Sequence, residues 1–257
     1  FDIMKVFFLC LAVGFLAQLI DGTLGMAYGV SCSTFLRTFG VSSAVSSACT
    51  HAAEIFTTLA SGISHLSMKN VSRALFVRLA IPGVIGGVFG AYILASFDDR
   101  VIAPFISAYL VVMGLVIFLK MFRKKGEVAE KKVGAWVCPL AFLGGTSDAM
   151  GGGGWGPVVT STLLARDHDV RKTIGSVNTA EFFVTLAESI TFFVTLGSLR
   201  DYLPSVLGLI IGGVIAAPFA ALLCRKLPVR PLLGIVGLTI MGINGWKLAQ
   251  AISALVG

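Results

Sequence analysis

Two stretches of the chain repeat one another at an offset of 127 residues. Residues 15–60 align without a gap on residues 142–187, with 12 identical pairs in 46 positions. Each copy contains a hydrophobic segment interrupted by glycine and then a segment with an acidic residue. The identical pairs include Asp21/Asp148, Gly25/Gly152, Gly29/Gly156, Glu54/Glu181, Thr58/Thr185 and Leu59/Leu186. In a membrane chain, interrupted segments at corresponding places in two halves indicate a transport site.

Composition predicts an all-α polytopic membrane protein. The 257 residues are 56% hydrophobic and only 13% charged, and the mean hydropathy is +0.91. Because about 20 apolar residues are needed to cross a bilayer, the candidate spans are 3–20, 44–64, 76–97, 101–119, 135–147, 174–197, 202–224 and 231–254. We expect a single membrane domain over 1–257, with a first repeat at 1–122, a polar connecting loop at 123–132 and a second repeat at 133–257.

The net charge of +7 is explained by topology better than by a nucleic-acid partner. The basic residues cluster in the connections 66–78, 120–132, 166–172 and 225–230. Short basic loops mark the cytoplasmic side of a bilayer. The sequence therefore predicts a multi-pass protein of the cell (inner) membrane with these four loops in the cytoplasm.

This topology makes residues 133–165 a re-entrant hairpin, because the segment starts and ends at basic loops and must turn back at its glycine run. The same reasoning makes 1–38 a hairpin that enters from the opposite side. Each half is then a glycine-broken hairpin plus three full transmembrane helices, and the halves are inverted repeats with a site near the midplane. The alternative is a plain count of eight spans in parallel repeats.

The glycine run at 151–156 cannot hold a stable helix, because each glycine costs about 1 kcal/mol relative to alanine. Pro157 favours a new helix after it. The exposed N–H groups at such a helix start bind anions, while close helix packing is the other use of small residues in membranes. The candidate substrate-binding residues at the two breaks are therefore Gly153, Gly154, Trp155 and Gly156, with the hydroxyls of Ser31, Ser33, Thr34, Thr160 and Ser161.

Five acidic residues lie in apolar surroundings: Asp21, Glu54, Asp148, Glu181 and Glu188. Each would cost about 2.5–3.5 kcal/mol at a helix centre in lipid, so we expect all five to face protein or water. Asp21, Glu54, Asp148 and Glu181 are predicted either to carry protons or to act structurally, for example by capping backbone N–H groups at the breaks.

A polar residue precedes two of these acids by three positions, which places the two side chains on one helix face. His51 precedes Glu54 and Asn178 precedes Glu181. Protonated His51 and the Asn178 amide can both donate to an anion, and we predict that both bind substrate. His51 and Glu54 supply too few ligands for a metal site. The five cysteines have no paired spacing, and neither a metal nor a cofactor is predicted.

The second-half segments GGTSDAMGGGGWGP (144–157) and GSVNTAEFF (175–183), with the duplication, resemble the TauE/SafE sulfite exporter family, also called the 4-toluene sulfonate uptake permease superfamily. The resemblance covers essentially the whole chain, and the first-half copy is the weaker one. It implies a bacterial-type inner-membrane protein of sulfur metabolism that moves sulfite or organosulfonates, mostly outward. The sulfur-containing substrate class comes from this resemblance, since the residues alone indicate a small anion, with a proton as an available partner.

The sequence therefore favours a secondary anion transporter, and the absence of a phosphate-binding loop opposes direct ATP drive. A cation/proton exchanger that uses the buried carboxylates is the alternative, and a passive anion channel is another. An intramembrane enzyme is disfavoured because neither a nucleophile elbow nor an HExxH motif occurs. The oligomeric state is left open.

Overall fold

The protein is described by a computed structural model that covers residues 3–24, 26–67, 69–122, 134–166, 170–197, 199–223 and 229–256. Within these ranges it is all-helical. The α-helices are α1 Ile3–Leu24, α2 Tyr28–Thr38, α3 Ser43–Ser67, α4 Arg73–Ser96, α5 Asp99–Leu119, α6 Val137–Gly151, α7 Ser161–Ala165, α8 Val170–Leu196, α9 Leu203–Leu223 and α10 Val229–Val256. Short 3₁₀ turns lie at Lys120–Phe122 and Arg200–Tyr202, and a π-helical turn lies at Gly156–Thr160.

Four helices of the described chain are long and apolar enough to cross a membrane. They are Ile3–Asp21, Arg73–Ser96, Asp99–Leu119 and Lys172–Leu196. Large apolar side chains point outward, with Phe105 69% and Val194 76% exposed, whereas His51 and Thr50 are fully buried. Polar side chains inside and apolar ones outside are the arrangement expected of a chain surrounded by lipid.

The helices of the two halves pack across one another. Helix α1 lies along α9 and α6 lies along α4, while α3 packs against α8 and α5 against α10. Glycines permit these contacts, since a Cβ on Gly212 would stand 2.8 Å from the backbone N of Phe15, and one on Gly86 would stand 2.8 Å from the carbonyl carbon of Phe142. Close packing at Gly86 and Gly212 is the use of small residues expected at helix interfaces in membranes.

Both halves contain a helix that stops and restarts. Helix α1 ends at Leu24 and α2 begins at Tyr28, preceded by Ala27 in the left-handed region at φ 93°. Helix α6 ends at Gly151, followed by Gly152 at φ 69° and Gly153 at φ 151°. The chain then turns helical again through the π turn, a local geometry that is frequent at functional sites.

The expected spans agree with the observed helices to within a few residues, and α6 continues to Gly151, four residues beyond the predicted 147. The connecting loop 123–132 and parts of the other three basic loops, namely 68, 167–169 and 224–228, lie outside the described residues. The division into repeats and the cytoplasmic placement of these loops stay predictions.

Candidate functional site

The two interrupted segments meet backbone to backbone in the middle of the protein. A Cβ built on Gly29 would lie 2.6 Å from the Cα of Gly153, and a Cβ on Gly153 would lie 2.6 Å from the Cα of Gly29. Only hydrogen on each α-carbon allows so close an approach. The helix starts of the two halves are therefore in direct contact.

A small cavity lies at this meeting point, and four carboxylates line it. They are Asp21, Glu54, Asp148 and Glu181, one pair from each half. The rest of the wall is formed by backbone and side chains of 26–30, 153–154 and 156–157. The cavity holds about one water molecule, which is too little space for an anion of several atoms.

The aspartate of each half reaches the helix start of its own half. Asp148 Oδ1 accepts hydrogen bonds from the backbone N–H groups of Gly154 at 2.5 Å and Trp155 at 2.9 Å. Asp21 Oδ1 accepts a long one from the Tyr28 N–H at 3.5 Å. The two contacts are equivalent under the 127-residue offset. Both aspartates therefore contact backbone N–H groups at their breaks, Asp148 more closely, and the choice between a structural and a proton-carrying role stays a prediction.

The carbonyl groups at the end of α6 are bound by side chains of the first half. His51 Nε2 lies 3.2 Å from the Asp148 carbonyl oxygen, Ser47 Oγ donates to Ala149 at 2.5 Å, and Ser33 Oγ donates to Gly151 at 2.8 Å. A helix end leaves such carbonyls without intrahelical partners, and in a buried site they need donors. These bonds hold the second break against α2 and α3.

His51 also contacts two acids. Its Nδ1 lies 3.2 Å from Glu54 Oε2 and 3.2 Å from Glu188 Oε2. The imidazole is fully buried and stacks on Phe192, with the rings 9° from parallel. The shared face predicted for His51 and Glu54 is confirmed by this contact, and Glu188 joins it from α8.

Asn178 occupies the position equivalent to His51 on α8. Its Nδ2 donates to Ser61 Oγ at 3.0 Å, and Ser61 is the residue equivalent to Glu188 under the same offset. Asn178 does not line the cavity, whereas its neighbour on the same face, Glu181, does. Its role as a substrate ligand stays a prediction.

Of the other predicted site residues, Gly153, Gly154 and Gly156 are in the wall of the cavity. The rest lie around the cavity without lining it. Ser33 is engaged with Gly151, and Thr34 Oγ1 accepts from Asn244 Nδ2 at 3.1 Å. Ser31 is half-buried on α2, and Thr160 Oγ1 is buried without a hydrogen-bond partner among the described atoms. Ser161 Oγ donates to the Gly156 carbonyl at 3.4 Å. The Trp155 indole donates to the Val177 carbonyl at 3.2 Å.

Sequence reasoning missed a polar cluster at the far end of α2. The buried guanidinium of Arg37 donates to Asn244 Oδ1 at 3.2 Å and to Ser107 Oγ at 3.0 Å. Lys247 Nζ in turn donates to the Arg37 carbonyl at 2.5 Å. An arginine alone in an apolar helix was the available signal. The cluster ties α2 to α5 and α10.

A largely helical described chain with a lipid-type surface and a small polar cavity between its two glycine breaks is the architecture expected of a membrane transporter. The family described as "Sulfite exporter TauE/SafE" matches residues 10–245, and the chain belongs to this TauE/SafE family. It is 39% identical over 250 residues to the "Probable membrane transporter protein YtnM" of Bacillus subtilis (strain 168), a match that covers 95% of this chain and 83% of that protein. No solved structure matches. The resemblance predicted from the glycine-rich motif is confirmed, and the chain is a transporter rather than an enzyme.

Proposed function

We propose that this protein is a secondary transporter, acting as an exporter, of sulfite or a related small sulfur oxyanion or organosulfonate, and that it couples anion movement to protons. The anion binds between the two helix starts, near the midplane of the bacterial inner membrane. The two halves act as inverted repeats with re-entrant hairpins. The family supplies the substrate class, and the site supplies the way in which an anion is held.

The observation that carries the proposal is the position of the Asp148 carboxylate. Its Oδ1 receives two backbone N–H groups, from Gly154 and Trp155, at the start of a helix. A sulfite or sulfonate group also presents oxygens with shared negative charge, and it satisfies the same donors. Asp148 thus occupies, in this conformation, the place that we assign to a substrate oxygen.

The charge of the cavity explains why protons have to accompany the anion. Four carboxylates line a space of about one water molecule, and like charges at such distances repel strongly in a medium of low dielectric constant. An anion enters only after carboxylates take up protons. A protonated Asp148 accepts more weakly from Gly154 and Trp155, so the same proton frees the donors that the anion needs.

The packing of the halves supports alternating access around this site. The 127-residue offset relates α1 to α6, α3 to α8, α4 to α9 and α5 to α10. The contact of α1 with α9 is therefore repeated as the contact of α6 with α4, and α3 and α5 each pack against their own counterpart. Such exchange is expected of repeats related by a two-fold axis, and inverted-repeat transporters open by rocking one bundle against the other around a fixed midplane site. We assign the small cavity of this conformation to a state between the two openings.

Calorimetry on the purified protein tests the proposal. Sulfite is titrated in two buffers that differ in their enthalpy of protonation, and we expect the difference in heat to reveal proton uptake with each anion bound. Asn178→Ala should abolish anion binding and leave thermal unfolding unchanged, while Thr195→Ala, on the exposed side of the same helix, should bind as the wild type does. Sulfite binding without proton uptake would contradict the coupling. Undiminished binding by Asn178→Ala would rule out Asn178 as a ligand and leave the helix-start N–H groups to be tested by themselves.

The four carboxylates also favour a second candidate, a cation/proton exchanger. In that case the acids are the ligands of the transported cation, and the capped helix starts are purely structural. Calorimetry distinguishes the two candidates. A cation/proton exchanger would bind sodium with release of protons and would not bind sulfite. A passive anion channel is separated from both by concentrative uptake, which a channel cannot perform.

A further inference from the structure

The two halves place the same contact at equivalent positions but build it from different side chains. In one half His51 of α3 meets Glu188 of α8, with Nδ1 3.2 Å from Oε2. In the other, Asn178 of α8 meets Ser61 of α3 at 3.0 Å. Under the 127-residue offset, Asn178 corresponds to His51 and Glu188 corresponds to Ser61. One contact can therefore gain and lose a proton, and its copy cannot.

The partners of the His51 ring require two protons in this contact. Nε2 faces the Asp148 carbonyl oxygen, which only accepts, so Nε2 carries a hydrogen. Nδ1 faces Glu54 and Glu188 at 3.2 Å each. Either Nδ1 is protonated and donates to a carboxylate, or one carboxyl group is protonated and donates to Nδ1. In both cases a second proton lies among these three side chains.

Glu188 is the member of the cluster with the fewest other partners. It is fully buried, and neither of its carboxyl oxygens has a partner with hydrogen-bond geometry among the described atoms, although Oε2 is at ion-pair distance from His51. A Cβ on Gly87 of α4 would stand 2.6 Å from Oε1, so α4 closes the other side. An ionised carboxylate in such a place is costly unless it is paired or neutralised.

The groups around Glu188 add negative charge. Besides His51, the ionisable side chains that face it are Glu54 on α3, Asp148 on α6, Glu181 on α8 and the Tyr109 hydroxyl on α5. Among these groups His51 is the one that can carry a positive charge and so balance the Glu188 carboxylate, whereas the three other acids repel it and Tyr109 is uncharged. One side-chain nitrogen or oxygen each of His51, Glu188 and the cap residue Asp148 lie within 4.8 Å of one another, so a proton shared by His51 and Glu188 would be close to Asp148.

We propose that the His51–Glu188 pair is the exchangeable proton site of this transporter, and that Asn178–Ser61 is its non-titrating copy. In the released state the second proton is on His51 Nδ1, which faces the Glu188 carboxylate. Loading takes one further proton from water onto that carboxylate to give the neutral acid, and Nδ1 then keeps Glu54 as its acceptor. The link to transport is the His51 Nε2 bond to the Asp148 carbonyl, which joins the proton site to the helix break. The inference rests on the proposed proton-coupled function and assigns the proton to named atoms.

Infrared difference spectroscopy of the purified protein during a pH titration tests the site without any substrate. We expect a carboxylic acid C=O band that Glu188→Gln removes. The double variant His51→Asn with Glu188→Ser copies the pair that the other half already accommodates, and it should fold and lack the same band. Ser61→Ala is the matched control and should keep it. A band unchanged in both Glu188 variants, or one that responds to sodium at constant pH, would overturn the assignment.

Flux in liposomes tests the link to transport. The quantity compared is the ratio of sulfite uptake with and without an imposed pH gradient, rather than the rate. We expect the double variant to lose the response to the gradient and Ser61→Ala to retain it. A double variant that still follows the gradient would contradict the assignment. If wild-type protein moves no sulfur anion, the proposed function fails, and the infrared band alone then decides whether the proton site exists.

Discussion

The sharpest structural prediction concerns Gly29, where the two halves touch. Gly29→Ala would place a Cβ 2.6 Å from the Gly153 Cα, whereas carbon atoms in contact are about 3.5–4.0 Å apart. About 1 Å of overlap must therefore be relieved, and it must be relieved by backbone, because neither glycine has a side chain that can rotate. Relief separates the two helix starts and widens the cavity.

The size of the effect follows from two opposing contributions. Overpacking of a tight interior costs about 1–3 kcal/mol, and replacement of glycine by alanine inside α2 returns about 1 kcal/mol of helix stability. The overpacking cost minus the gain in helix stability is at most about 2 kcal/mol. We expect Gly29→Ala to lower the free energy of unfolding by about this amount. Transport should fall by more than stability does, since the helix starts would no longer converge on one anion.

Gly242→Ala is the matched control, because a Cβ there would meet no atom within 4 Å and the residue is also inside a helix. It should be as stable as the wild type or more so. The assay is unfolding of each variant in detergent, followed by anion flux in liposomes. If Gly29→Ala unfolds like Gly242→Ala and transports at the wild-type rate, the direct contact of the two breaks is wrong.

Three further predictions concern the second break. Asp148→Asn keeps an acceptor for the Gly154 and Trp155 N–H groups but removes its charge, so calorimetry at two pH values should find sulfite binding less dependent on pH than in the wild type. An unchanged pH dependence would contradict the role of Asp148 in coupling. Ser33→Ala leaves the Gly151 carbonyl without its side-chain donor and should lower the free energy of unfolding by about 1–3 kcal/mol, as measured in detergent; a neutral result would mean that this bond does not hold the break. Gly153→Ala should destabilise more than Gly29→Ala in the same assay, because φ is 151° there and an L side chain disfavours it.

The helices were predictable from sequence because their signals are long and local. Stretches of apolar residues fix the spans, and the glycine run marks the second break in advance. The first break is less visible in the sequence, and the structure makes it with Ala27 in a left-handed conformation. A non-glycine residue adopts that conformation only where the surrounding structure imposes it, which a local pattern does not reveal.

The acids at the cavity were also predictable, since a charged residue in an apolar span has to face the interior. The direction of the hydroxyls was not. Ser33 and Ser47 satisfy carbonyls of the other half, and that need arises only when α2 and α3 lie against the end of α6. Likewise Glu188 could be recognised as buried, but its contact with His51 depends on the packing of α3 against α8.

The most direct test of the account is uptake of labelled anions by the purified protein in liposomes, with and without an imposed pH gradient. Sulfite, thiosulfate and sulfoacetate are compared with sodium. We expect saturable, concentrative uptake of a sulfur anion that follows the proton gradient and is weakened by Gly29→Ala. Sodium flux without anion flux would contradict it, and would make the four carboxylates ligands of a transported cation.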